Sequence, residues 1–334
     1  MSSAVRRHAP LPGSCAGMWT DADEPAWGSA APATFWVALE QPGPWGHKAL
    51  TESRLAPEIG RALERGCAAA GGRALLIRST GEHHVGRGEC PSHRRLYVAG
   101  GMPEGTPWLL TGEIGDPSLV LDLPFATLGG ADPGPALEAV RALSLTQESV
   151  LLVCTNARRD ACCAVLGRPL ALEAGTLRPG RVWECTHTGG HRFSPTGVVL
   201  PTGATLARLT PDLAVRALEA ADRQEIGDEL LRPRHHRGLS HLAPPLQAAD
   251  AWVRHRFGEG DVRALTVRRL SEDEEPDGSV RVRVDHSDGR SLEVVATKSY
   301  DEARPRKNSC TTGPVPAESW RVAPVPAAGL TGAP

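Results

Sequence analysis

Two thiols and two imidazoles stand at spacings that would complete one metal centre. Cys154 and Cys163 are separated by eight residues, twenty-three more lead to His187, and three separate His187 from His191. Two cysteines and two histidines make one full tetrahedral donor set, and thiolate and neutral imidazole suit iron and zinc alike. Arg158 and Arg159 lie between the cysteines, and their charge would lower thiol pKa values and favour the ligating thiolate. In His187-Thr-Gly-Gly-His191 the paired glycines oppose a regular helix and permit positive φ, so a tight loop can turn both rings toward one point. One buried cysteine or one histidine beside a glycine turn means little. The four together carry the reading.

Neighbouring residues define the alternatives. Cys162 adjoins Cys163, and the eight-residue spacing favours Cys163 as ligand, with the Cys162 thiol packed or supporting the ligands from behind. A thiol oxidoreductase working through Cys162 and Cys163 is the weaker reading, because adjacent cysteines form a strained disulfide and no Cys-x-x-Cys occurs. Cys185, two residues before His187, is read as core packing. His83, His84, Cys90 and His93 could ligate a metal, but they lack a partner pair and fall in a polar loop. Arg94, Arg95, His235, His236 and Arg237 are candidate contacts for an anionic partner or cofactor. No Gly-rich nucleotide loop is present, so electrons are expected from a redox partner protein, with donor and acceptor undefined. Nothing singles out a facing carboxylate pair among 39 acidic residues, which argues against glycoside hydrolysis.

The chain of 334 residues is longer than one ordinary core requires. Its 37 Lys and Arg against 39 Asp and Glu leave a net charge of -2, which gives no general attraction for nucleic acid or anionic lipid. No apolar run reaches membrane-spanning length and no secretory leader is evident, so a cytoplasmic protein with no membrane association is expected. Eight cysteines are too sparse for a disulfide scaffold. Lysine occurs only at Lys48, Lys298 and Lys307 amid abundant Arg, Ala, Gly and Pro, a bias that points to a GC-rich, bacterial coding sequence.

Positioning the four ligands requires an α/β framework. Residues 1–30 lack periodicity and are expected to be loose. In 31–130, Thr34–Leu39, Pro57–Ala69 and Ala74–Arg78 read as a β-α-β unit, followed by short strands at Arg95–Ala99, Trp108–Leu110 and Leu119–Leu121. From 131 to 245 the pattern gives a helix at Pro135–Leu143, a strand at Val150–Val153 ending in Cys154, and a Pro169-initiated helix. It continues with a strand at Arg181–Thr186, a hairpin around Pro201-Thr202-Gly203, and a helix capped by Thr210. That order is thioredoxin-like. In 246–334 a helix at 246–258 precedes antiparallel strands at Val262–Leu270, Val280–Val284 and Leu292–Thr297, with turns at Pro276-Asp277-Gly278 and Asp288-Gly289. Beyond Arg304 the chain reads as a Pro-rich loop.

Cys154-Thr-Asn-Ala-Arg-Arg-Asp-Ala-Cys-Cys163, Val182-Trp-Glu-Cys-Thr-His-Thr-Gly-Gly-His-Arg-Phe-Ser-Pro195 and Leu200-Pro-Thr-Gly203 together resemble the sucrase/ferredoxin-like family, in its histidine-containing branch. The resemblance is strong over 150–215 and weaker across about 30–320. It implies a thioredoxin-like ferredoxin domain and a [2Fe-2S] cluster held by Cys154, Cys163, His187 and His191; with the elements read above, the expected fold class is α/β, that domain being preceded by a second α/β domain and followed by a β-containing C-terminal segment. It also implies an electron-transfer role for the chain. A structural zinc ion on the same four residues is the alternative cofactor, since Cys2His2 is also a complete zinc set.

Overall fold

The computed structural model describes residues 10–81, 92–271 and 278–325. The fold is α/β. Ten strands form one mixed sheet: β1 (Trp36–Glu40), β2 (Arg73–Ser79), β3 (Arg94–Gly100), β4 (Trp108–Ile114), β5 (Ser144–Thr146), β6 (Val150–Cys154), β7 (Val182–Cys185), β8 (Gly197–Leu200), β9 (Ala204–Leu206) and β10 (His236–Leu239). Their order is β10-β9-β8-β6-β7-β2-β1-β3-β4-β5. Read outward from the centre, the two halves match strand for strand. In each, the first two strands are parallel, β1 with β2 and β6 with β7, and antiparallel strands follow on the far side. Each half therefore has the strand order and polarity of a thioredoxin-like sheet, and strands on both sides of residue 130 share it.

The halves join where β2 pairs antiparallel with β7, Ile77 opposite Cys185 and Arg78 opposite Glu184. Arg78 and the buried Glu184 form an ion pair of 2.7 Å, and Thr155 Oγ1 donates to the same carboxylate at 2.7 Å. A buried carboxylate is tolerated only with such partners.

Period-two alternation divides the apolar residues between the faces of the sheet. Val37, Leu39 and Leu76 meet helix α2 (Pro57–Ala69), whose Leu63 and Cys67 are buried at helical spacing. Leu151 and Val153 meet helices α4 (Arg168–Leu177) and α5 (Pro211–Ala221). The opposite face gathers Trp36, Ile77, Leu152, Trp183, Cys154, Cys163 and Cys185 in one cluster across the junction. Proline at the start of α2 and α5 fits, because the missing N–H is unneeded there, and the Thr210 side chain accepts from Leu213 N at 3.2 Å as the α5 cap.

Four expectations are corrected. The N-terminal segment is not loose throughout: α1 (Cys15–Asp21) is capped by Ser14, and Trp19 is fully buried against Phe193 at 5.2 Å. Leu119–Leu121 lies in a 3-10 turn, Pro117–Asp122, because Asp116 accepts from Ser118 N at 2.8 Å and Pro117 starts the turn. The helix expected from Pro135 is only α3 (Gly134–Ala139). Beyond Arg304 the chain is not loop, since β13 (Ser291–Lys307) pairs with β14 (Pro314–Pro324). β14 is the edge of a four-stranded antiparallel sheet, β11 (Leu265–Arg269), β12 (Ser279–His286), β13 and β14, and an edge tolerates proline. Of the turn at 276–278, Pro276 and Asp277 lie outside the described residues.

Helix α6 (Pro244–Phe257) packs between this sheet and β10. Gly238 allows the approach, as a Cβ there would meet Gln247 at 2.7 Å. The covering buries His236 and Arg237, so neither offers a partner surface, and Arg94 is likewise buried. Burial pushes the His236 pKa down to about 4, despite Asp250 nearby. A histidine that stays neutral when folded costs stability once the unfolded chain can protonate. Stability is therefore full above about pH 6.5 and declines as pH falls from there toward 4. Urea denaturation at pH 7.5 and pH 5 should differ by about 2 kcal/mol from this residue, and His236→Leu should flatten the difference by that amount.

Candidate metal centre

β6 delivers Cys154 to the edge of the core. All five of its residues are buried, Cys154 N donates to Thr196 O at 2.9 Å, and Cys154 sits beside Cys185 in the parallel register. The loop beyond is a tight turn, with Arg159 N and Asp160 N both donating to Asn156 O and Cys162 N donating to Asp160 Oδ1 at 2.9 Å. Cys163 opens a π-helical turn, Cys163–Gly167, that runs into α4. Gly167 is required there, because a Cβ would lie 2.3 Å from Cys154 O.

β7 leads into the histidine loop. Gly189 and Gly190 adopt φ of 82° and 72°, the left-handed region that the glycine pair foretold. His191 begins a 3-10 turn, His191–Phe193, against which α1 packs. Arg237, 1% exposed, braces the loop from behind: Nη1 donates to Gly189 O at 3.0 Å, Nε to Ser29 Oγ at 3.1 Å, and Nη2 to Ser29 O.

These elements bring the four residues together. The rings of His187 and His191 stack with centroids 4.5 Å apart and planes 22° from parallel. His191 Nδ1 lies 3.6 Å from Cys163 Sγ, and Cys154 is in hydrogen-bonding contact with both Cys163 and His187. The Cys163 thiol donating to Cys154 drives the Cys154 pKa well below the usual range, with His187 helping, and the same contact and burial drive Cys163 up. Burial, with His187 adding to it, pushes His191 down to about 4, so its ring is neutral near pH 7, the form that ligates. The cysteines are buried and the imidazoles partly exposed. Cys185 is fully buried in the core beside them.

The family model for sucrase/ferredoxin-like proteins matches residues 26–233. The chain belongs to the sucrase/ferredoxin-like family. No curated protein and no solved structure matches it.

Sequence reading missed a second group of ligands in this sucrase/ferredoxin-like chain. Cys15, Asp160, Cys162 and Cys310 place their ligand atoms within 4.8 Å of one another, the one such group among the described residues, and could hold a metal ion. It contains no histidine. Cys162 Sγ lies 3.5 Å from Cys15 Sγ and 3.3 Å from Cys310 Sγ. Cys162 and Cys163 thus face different groups. No spacing in the sequence hinted at this group, since its members are up to 295 positions apart. Of the other sequence candidates, His83, His84 and Cys90 lie outside the described residues, and His93 contacts its neighbour Ser92. Arg95 pairs with Glu113 at 2.7 Å, and His235 Nδ1 contacts Ala207 O at 3.0 Å. No helix among the described residues is long and apolar enough to cross a membrane.

The histidine loop depends on its left-handed glycines. A Cβ at Gly190 would approach Arg237 Nη2 to 2.5 Å. Gly190→Ala should cost about 1–2 kcal/mol from the backbone alone, measured by chemical denaturation.

Proposed function

We propose that this chain is an electron-transfer protein carrying a [2Fe-2S] cluster on Cys154, Cys163, His187 and His191. The observation that supports it most is the pairing: a buried sulfur pair faces a partly exposed, stacked imidazole pair, each held by its own loop. When bound, such a cluster accepts and releases one electron at a time.

The donor set fits two irons better than one zinc. Ligands of a single ion crowd around one point, whereas the contacts among these residues run in a chain, His187 to Cys154, Cys154 to Cys163 and Cys163 to His191. A two-iron core takes two ligands at each end and tolerates the wider spread. Family membership supports the ferredoxin reading, while sugar hydrolysis has no carboxylate pair to rest on.

The protein environment sets what the centre does. Two neutral imidazoles in place of two thiolates leave the cluster less negative, which raises its potential by several hundred millivolts over plant-type centres. The buried Arg237 cation adds to that trend. His187 also lines a cleft of about 240 Å³ together with His47, Lys48, Arg73 and Arg159, with one carboxylate, Glu64, beside Arg73. The excess of basic groups suits an acidic face on a protein redox partner, which His187 would face from the cleft lining.

Anaerobic purification should yield a coloured protein with an electron paramagnetic resonance signal on reduction. Cys154→Ala or Cys163→Ala should abolish both, whereas Cys162→Ser should keep them. His187→Cys or His191→Cys should stay coloured with a potential lower by on the order of 100 mV or more. A colourless, iron-free wild type after iron and sulfide reconstitution overturns the proposal. Where the far ring N–H of a ligated imidazole faces solvent, the wild-type potential should fall with rising pH by up to about 59 mV per unit for each proton lost, once pH exceeds the pKa of that N–H in the oxidised centre, as read by redox titration between pH 6 and 10.

A further inference from the structure

We propose that Cys15, Cys162, Cys310 and Asp160 bind one zinc ion, in a site separate from the four-residue centre, that fastens both ends of the chain over the loop carrying Cys163. The three sulfurs form a near-equilateral triangle, with edges of 3.5, 3.3 and 3.5 Å. Around a tetrahedral ion with metal–sulfur bonds of about 2.3 Å, sulfurs sit about 3.8 Å apart. The triangle therefore needs to open by only a few tenths of an ångström. A disulfide would use two of the three thiols and strand the third.

Asp160 supplies the fourth position. Its Oδ1 lies 3.7 Å and its Oδ2 3.9 Å from Cys15 Sγ. Three donors hold the carboxylate in place: Cys162 N at 2.9 Å on Oδ1, and Cys310 N and Ser309 Oγ, both at 2.8 Å, on Oδ2. Asp160 is 1% exposed, and among the described residues no Lys or Arg pairs with it. A buried carboxylate beside three buried or half-buried thiols offers a cation four anionic donors in one place. Three sulfurs with one carboxylate oxygen suit zinc, since copper(I) prefers an all-sulfur or thioether set and magnesium or calcium an all-oxygen one; iron, which thiolates also take, would show as extra iron in place of the zinc.

The frame is already assembled around the site. Cys15 opens α1, and Cys310 sits in the turn between β13 and β14. Trp19 Nε1 donates to Lys307 O at 3.0 Å, and Arg306 pairs with Glu24 at 3.1 Å while covering the Trp19 ring at 4.9 Å. An ion there closes loops of 147 and 148 residues, and long closures remove the most freedom from the unfolded chain.

Metal analysis of the full chain, expressed with iron and zinc supplied and purified anaerobically, tests this. Close to one zinc per chain is expected beside two irons, with zinc-edge X-ray absorption showing three sulfurs at about 2.3 Å and one oxygen near 2.0 Å. Cys310→Ser should weaken zinc binding at least about 100-fold and lower the unfolding temperature, yet keep the iron. Cys154→Ala should lose the iron and keep the zinc. Iron without zinc in the wild type, or a disulfide among the three thiols under reducing conditions, overturns the zinc site alone. Zinc without iron overturns the cluster alone, and Cys310→Ser losing both metals overturns their separation.

Discussion

Successive residues on a helix project about 100° apart, and this constraint at Cys162 and Cys163 organises the chemistry of the molecule. One thiol turns inward to Cys154 and His191, and the other turns out to Cys15 and Cys310. Asp160 fixes the geometry by accepting from Cys162 N at the start of the turn. Two adjacent side chains thus belong to two different clusters, and any movement of this one turn is felt by both.

The remaining architecture holds that turn still. The doubled sheet supplies a broad platform whose junction, β2 against β7, runs beneath the Cys154 and His187 loops. Arg78, Glu184 and Thr155 tie the halves together beside the site. Arg237 reaches from β10 to brace the glycine loop, and Trp19 seals the far side of Phe193. Segments distant in sequence therefore converge on the loops that bear sulfur and nitrogen.

How much of this was readable in the sequence follows from how local each signal is. That Cys154, Cys163, His187 and His191 lie together was legible because each pair is closely spaced in the chain and the glycines between the histidines announce their backbone. Thr210-Pro211 marked α5 for the same reason. Leu119–Leu121 misled because Asp116 and Pro117 outweigh three apolar residues. β14 was hidden by its prolines, which an edge strand accepts. The Cys15, Asp160, Cys162 and Cys310 group has no spacing to read, because it exists only once both chain ends have folded back. His236 and Arg237 looked like surface charge until α6 covered them.

Imidazole nitrogen bound to iron is what sets the proposed centre apart from an all-thiolate one. Pulsed electron paramagnetic resonance of the reduced wild-type protein measures this directly, through the coupling of nitrogen nuclei to the unpaired electron. Two strongly coupled, inequivalent nitrogens are the expected result. A reduced centre with no strongly coupled nitrogen would contradict it.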